Sequence, residues 1–220
     1  MIMSSKSSVT QTRQIRPTRR SLSGVLALRG KGVAFESALE RDFIHGWTLS
    51  PEVAGVVAQP AKIPFVAANG RKYHYTPDFL VEYVTATGMK PMLVEVKFRD
   101  DWKANWREYL PKWKAAWRYA KSQGWDFHIY DESRIRHQRL KNVQFLERYL
   151  YLEFKPAVGD AVLETVYLMK AVPLQYLLAK HFTGDEATGR ALIFHLLANE
   201  KILFNLSLEL DEMSILRVKS

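Results

Sequence analysis

Tyr75-Thr76-Pro77-Asp78-Phe79-Leu80-Val81 and, one loop later, Val94-Glu95-Val96-Lys97 are the residues on which the fold turns. Both stretches are β-type and apolar in their flanks, and Thr87-Gly88 between them supplies a turn, so they predict neighbouring strands of a hairpin. Such a hairpin would bring Asp78, entering the first strand, to the same sheet edge as Glu95 on the second. Side chains two apart share a strand face, so Glu95 and Lys97 are expected on one side.

Further strands are predicted at 53–58, 62–66, 73–75, 79–84, 92–97 and 125–130, punctuated by Ser50-Pro51, Gly55 and Asn69-Gly70. Ahead of them, Phe35, Leu39 and Phe43 recur at helical spacing and predict a helix over 34–45. From 101 to 122 the pattern is helical again, with Pro111 read as the first turn of a second helix. A last helix of this half is predicted over 140–154.

Residues 1–32, rich in Ser, Thr, Arg and Gln, read as a flexible basic arm. After Lys155-Pro156 the composition shifts, and a boundary is expected there. Helices are predicted at 161–171, 173–182 and 185–199, with Gly184-Asp185 as turn and N-cap. A hairpin over 201–210 and 214–219, around Asp211-Glu212, would complete a winged-helix outline. The expected domains are therefore 1–32, 33–155 and 156–220.

Composition narrows the function classes. Hydrophobic residues make up 47% of the 220, enough for a core, and Cys is absent, which excludes a disulfide scaffold, a Cys-ligated zinc module and a cysteine nucleophile. It also fits a reducing cytoplasm. No apolar run reaches the length of a membrane span, and the N-terminus lacks the apolar core of a signal peptide, so no membrane role is expected. The net charge of +9 is unevenly placed: +7 over 1–35, +6 over 97–141 and −2 over 160–220. A polyanion bound by the first two-thirds, through counterion release, is the reading this supports. The acidic last segment suits protein docking better than DNA.

Two carboxylates and a backbone carbonyl are hard oxygen donors of the kind an octahedral Mg²⁺ accepts, with positions left for water. Asp78, Glu95 and the Val96 carbonyl would be that set. Lys97 beside it could position or deprotonate an attacking water and offset charge building on a phosphorus centre. Glu36 and Glu40 lie four apart on one face of the preceding helix.

Pro77-Asp78 followed by Glu95-x-Lys97 resembles the PD-(D/E)xK nuclease superfamily. Phe35-Glu36-Ser37-x-Leu39-Glu40-x-Asp42-Phe43, Gln59-Pro60, Tyr75–Val81 and Val94–Lys97 together look like the TnsA family, endonuclease subunits of Tn-seven-type heteromeric transposases. The resemblance covers roughly 33–150, and only in outline beyond. It implies an α/β, restriction-endonuclease-like mixed sheet flanked by helices, joined to a small winged-helix-like domain. It places Glu40 as the helical active-site acid, with Glu36 as the second candidate. It makes Asp78 the central metal ligand and Lys97 the catalytic lysine, with Glu95 where some members have Gln. Some members also carry an acid on the following helix; the corresponding stretch, 112–118, has none. Gln59 and Tyr75 would support the site.

The implied activity is Mg²⁺-dependent cleavage, with Mn²⁺ able to substitute, of the 5′ strand at transposon ends. The implied partners are double-stranded DNA, a DDE-type (TnsB-like) transposase and an AAA+ (TnsC-like) ATPase, in a bacterial cytoplasm at the nucleoid. Candidate DNA contacts are Arg16, Arg19, Arg20, Arg99, Lys103, Arg107, Lys114 and Arg118, with Lys112 and Lys121 on the same basic helix. Trp102, Trp106, Trp113 and Trp117 form a helical stripe, read as indoles packed on the sheet or, alternatively, as base-stacking groups. The six histidines show no metal-ligand spacing; His74 lies near Asp78. A free-standing nuclease of resolvase or restriction type, and a DNA-binding adaptor without activity, are the rival readings.

Overall fold

Alternation of side chains along two central strands sets the architecture of the first half. The computed structural model describes residues 9–12 and 22–218, which divide into two units, 1–135 and 136–220. In the first unit β1 (Gly24–Leu28) and β2 (Lys31–Phe35) form a hairpin, followed by α1 (Ala38–His45). β3 (Val53–Ala58), β4 (Ile63–Val66), β5 (Lys72–Tyr75), β6 (Phe79–Tyr83) and β7 (Met92–Val96) come next. They lead into α2 (Arg99–Ser122), β8 (Asp126–Tyr130) and the short α3 (Glu132–Ile135).

The central sheet has the order β3-β6-β7-β8, antiparallel except for the parallel β7–β8 pair, so it is mixed, as expected. The β4–β5 hairpin stands apart from it. Phe79, Val81, Met92, Val94 and Val96 pack on one face with Leu39, Phe43 and Ile44 of α1 and Ile135 of α3. Leu80 and Leu93 pack on the other with Trp113, Ala116 and Ala120 of α2. The period of two thus feeds two cores, one under each helical layer.

Three expectations need correction. Residues 24–32 are not part of a flexible arm: they form a hairpin whose turn, Arg29 (φ 52°) and Gly30 (φ 75°), has both central residues left-handed, the geometry that suits strand twist. Leu28, Val33 and Phe35 of this hairpin are buried. Pro111 does not start a second helix; α2 runs unbroken through it. The carbonyl that Pro111 deprives of a donor belongs to Arg107, an exposed residue, while Trp113, Ala116 and Ala120 hold the helix to the sheet. Trp113 is buried and Trp102 half-buried, but Trp106 and Trp117 are exposed, so the indole stripe is split between sheet and solvent.

The third correction is the boundary, which lies at 135/136 rather than 155/156. In the second unit α4 (Gln138–Leu146) packs against α7 (Glu186–Ala198). Phe145 and Tyr149 each meet the Phe194 ring at 5.1 Å, and the Phe154 ring lies 5.4 Å from that of His195. Apolar residues of 140–154 thus find their partners downstream. Between them lie α5 (Pro156–Met169), β9 (Val172–Pro173) and α6 (Leu174–His181). β10 (Ile202–Leu203) and β11 (Ile215–Val218) follow α7, and the small sheet has the order β10-β11-β9. The predicted hairpin pairs over only two residues of its first strand, because 204–214 loops out. Buried Asn142 holds this loop by donating to the carbonyls of Leu206 (2.8 Å) and Leu208 (2.6 Å). Among the described residues no helix is long and apolar enough to cross a membrane.

Candidate active site

Register brings the first pair of carboxylates together. Phe79 pairs with Val94, so Asp78 and Glu95 stand opposite one another where the β6–β7 ladder ends. The ladder is replaced there by a side chain: Val96 N–H donates to Asp78 Oδ2 at 2.7 Å. Lys97 N–H donates the other way, to the Tyr130 carbonyl of β8 at 3.0 Å. Because amide groups alternate along a strand, the Val96 carbonyl shares the Asp78 edge with its own N–H.

Glu95 is only 4% exposed, yet both its oxygens are held. Tyr75 Oη donates to Oε2 at 2.5 Å, and the Lys112 ammonium lies 3.2 Å from Oε1. Tyr75, Asp78, Glu95 and Lys112 line a cleft of about 360 Å³, which His74 and Thr76 also border.

Glu40 reaches this centre from α1. Ser37 caps the helix, accepting from Glu40 N–H at 3.1 Å, and its hydroxyl donates back to Glu40 Oε1 at 3.0 Å. Glu36 N–H donates to Glu40 Oε2 at 2.8 Å, so the carboxylate is fixed in one position. Gln59, just beyond β3, takes a left-handed backbone (φ 48°) and donates its N–H to the Asp78 carbonyl at 2.7 Å. Its side-chain Nε2 donates to Glu36 Oε2 at 3.3 Å, whereas Oε1 is buried without a partner. Thr12 N–H and Oγ both donate to the Gln59 carbonyl.

The charges are in conflict. Burial, then the charges of Glu95 and Glu40, push the Asp78 carboxyl well above the usual carboxylate range, with the Val96 N–H acting against them. Burial also raises Glu40, against the hydrogen bonds from Glu36 and Ser37 and with the charges of Glu36 and Glu95. The Tyr75 phenol rises well above its ordinary value, mainly by burial and then by the charge of Glu95. A cation among these oxygens would relieve the repulsion, and the donors fit a hard one: Asp78, Glu95 and the Val96 carbonyl on one edge, with the unpartnered Gln59 Oε1 nearby. Among the described residues no three His, Cys, Asp or Glu side chains form a metal-binding group, so the carbonyl is needed to complete the set.

Residues 50–132 match the family model described as TnsA-like endonuclease N terminal. Over this stretch the chain is similar to TnsA-like endonuclease N-terminal domains. No curated protein sequence matches the chain. Asp78, Glu95, Val96, Lys97 and the whole of α2 lie inside the TnsA-like match, whereas Glu36, Glu40 and the second unit lie outside it.

Lys97 is less free than its sequence position suggests. Its ammonium lies 3.2 Å from Asp101 Oδ2 and 5.1 Å from the centre of the Tyr109 ring. Burial alone would lower this ammonium's pKa, but the bond to Asp101 and the charges of Tyr109, Asp101 and Glu95 outweigh it, and the pKa is raised. Asp101 in turn accepts from Asn105 (2.8 Å) and Tyr109 Oη (2.9 Å), which with Lys97 hold it below the usual carboxylate range despite partial burial. Sequence reasoning missed Asp101, Asn105 and Tyr109, and read Lys112 only as a phosphate contact. Their spacing, 101, 105, 109 and 112, is one face of a helix, and that polar stripe was the available signal. Arg99, Lys103, Arg107, Lys114 and Arg118 are all exposed on α2, Arg99 lying 3.9 Å from Asp131. Arg16, Arg19 and Arg20 lie outside the described residues.

Proposed function

We propose that the TnsA-like domain is a Mg²⁺-dependent endonuclease that cuts the 5′ strand at transposon ends, working with a DDE-type transposase and an AAA+ ATPase in the bacterial cytoplasm. The observation that carries this reading is the face-to-face placement of Asp78 and Glu95 at the end of the β6–β7 ladder. Lys97 follows two residues on, and the charge of Glu40 acts on Asp78 as well. Asp78, Glu95 and the Val96 carbonyl would hold the ion, which supplies Lewis acidity and an activated water. Lys97 keeps an ammonium at the centre to meet charge developing on the phosphate oxygens. Tyr75 and Lys112 orient Glu95, and Gln59 orients Glu36. The exposed cations of α2 would follow the DNA backbone.

The second unit supports a winged-helix reading: after α4 its elements run α5-β9-α6-α7-β10-β11, and the last strand lies between the other two. Its acidic balance over 160–220 favours protein partners over DNA. The test is Mg²⁺-dependent nicking of a transposon-end duplex in the presence of the partner transposase. Wild type should nick and Asp78→Ala should not; equal activity would end the catalytic assignment. Efficient nicking without partners would favour a free-standing nuclease.

A further inference from the structure

Lys112 is a cation already seated at the proposed centre. Its ammonium lies 3.2 Å from Glu95 Oε1, within 4.9 Å of the Tyr75 ring centre and 4.5 Å of that of Tyr109. The two aromatic faces and the buried carboxylate make a three-sided seat for a positive charge. The lysine side chain is 20% exposed and Glu95 is on the sheet beneath it, so the pair is not a loose surface contact. Lys112 lines both the Asp78–Glu95 cleft and the adjoining one bordered by Asn69, Tyr73 and Tyr109.

Asp78 and Glu95 face each other at the end of the β6–β7 ladder, and the charge of Glu40 adds to theirs, so the centre calls for positive charge. An ion bound to Glu95 Oε1 at the usual Mg²⁺–oxygen length of about 2.1 Å would stand within about 5 Å of the ammonium. With little water between them, the like charges would repel strongly.

We propose that Lys112 takes the place of a second metal ion, so that the site holds one divalent cation, at Asp78, Glu95 and the Val96 carbonyl, and a fixed ammonium at Glu95 Oε1. The ammonium neutralises Glu95 and offers a positive charge to the substrate phosphate where other two-ion sites would use a metal. This inference rests on the nuclease reading above and concerns how its charge is supplied.

Ion counting tests it without reference to activity. Full-length protein is titrated with Mn²⁺ and the bound ions per chain are counted from the loss of the free-ion electron paramagnetic resonance signal. Wild type and Lys112→Arg should each bind one ion, Lys112→Met should bind two, and Asp78→Asn should bind none. Two ions on wild type, lost in Asp78→Asn, would overturn the role of Lys112 and leave the metal centre standing. One ion on Lys112→Met would likewise overturn it. No ion on wild type, or an ion that Asp78→Asn does not affect, would remove the metal centre and this inference with it. Should Lys112→Met lose its cooperative thermal transition, the counts on wild type and Lys112→Arg still decide, since two ions on either one refutes the proposal.

Discussion

Helix α2 has two polar sides that differ in wiring more than in composition. On the cleft side, Lys112 is joined to Glu95, and Asp101, Asn105 and Tyr109 form a network that holds Lys97. On the outer side, Lys103, Arg107, Lys114 and Arg118 stand exposed, with Arg107 lying over the Trp106 ring at 4.5 Å. Lysine occurs on both, yet carboxylates fix the inner cations while the outer ones keep their reach. On the reading proposed above, the excess of positive charge in this half would serve two ends: a few cations would define a centre, and the rest would offer a surface to a polyanion.

Substitutions on each side should separate these roles. The largest effect is expected from Lys97→Met, which should lower single-turnover nicking by about 10²- to 10³-fold. DNA affinity should stay within about twofold; a parallel loss of affinity would erase the distinction between the two sides. The triple change Arg107→Ala, Lys114→Ala, Arg118→Ala should weaken duplex binding by roughly tenfold or more. It should also reduce the slope of log K against log salt by about 0.9 for each phosphate that is no longer neutralised. The rate at saturating DNA should hold, and an unchanged salt slope would show that this face does not meet the backbone.

Asp101→Asn is expected to cost only a few-fold in rate at neutral pH. Asp101 holds the Lys97 ammonium's pKa up, so its loss should move the alkaline limb of the pH–rate profile to lower pH. A limb that stays in place would remove Asp101 from the account. The smallest effect concerns stability without metal. The Asp78 carboxyl is raised in the folded state, so the native protein keeps a proton that the unfolded chain releases. Its stabilising contribution is complete below the ordinary carboxylate pKa and is lost as pH rises through the raised one. Asp78→Asn keeps an acceptor for Val96 N–H and removes the charge. In chelator it should therefore raise Tm by a few °C at neutral pH and flatten the fall from acid to neutral. A Tm–pH profile identical to wild type would refute this.

The strands that carry the site were legible because each combined a two-residue apolar period with flanking turn residues. The facing of Asp78 and Glu95 followed from that pattern, whereas the mixed sheet was what the family resemblance implied. The β1–β2 hairpin was hidden by composition: Arg and Ser in 13–24 suggested an arm, although Leu26, Leu28, Val33 and Phe35 alternate around Arg29-Gly30. The unit boundary was missed because Lys155-Pro156 looked like a linker, whereas Pro156 begins α5 and the rings of Phe145 and Tyr149 need Phe194, far along the chain. The partners of Lys97 and Glu95 were missed for a related reason. A strand motif names what lies on the strand, but Asp101, Tyr109 and Lys112 enter from a helix laid over it.

Val96 is used twice. Its side chain belongs to the core beneath α1, while its amide binds Asp78 and its carbonyl shares that edge. Any β-branched or similar apolar residue could serve the first use without touching the second, so this position is free to drift among such residues while the centre keeps its donor. An alanine scan along β7 would register a packing defect here and pass over the chemistry. Only an edit of the main chain, such as an amide-to-ester replacement that deletes the Val96 N–H, would make the second use visible.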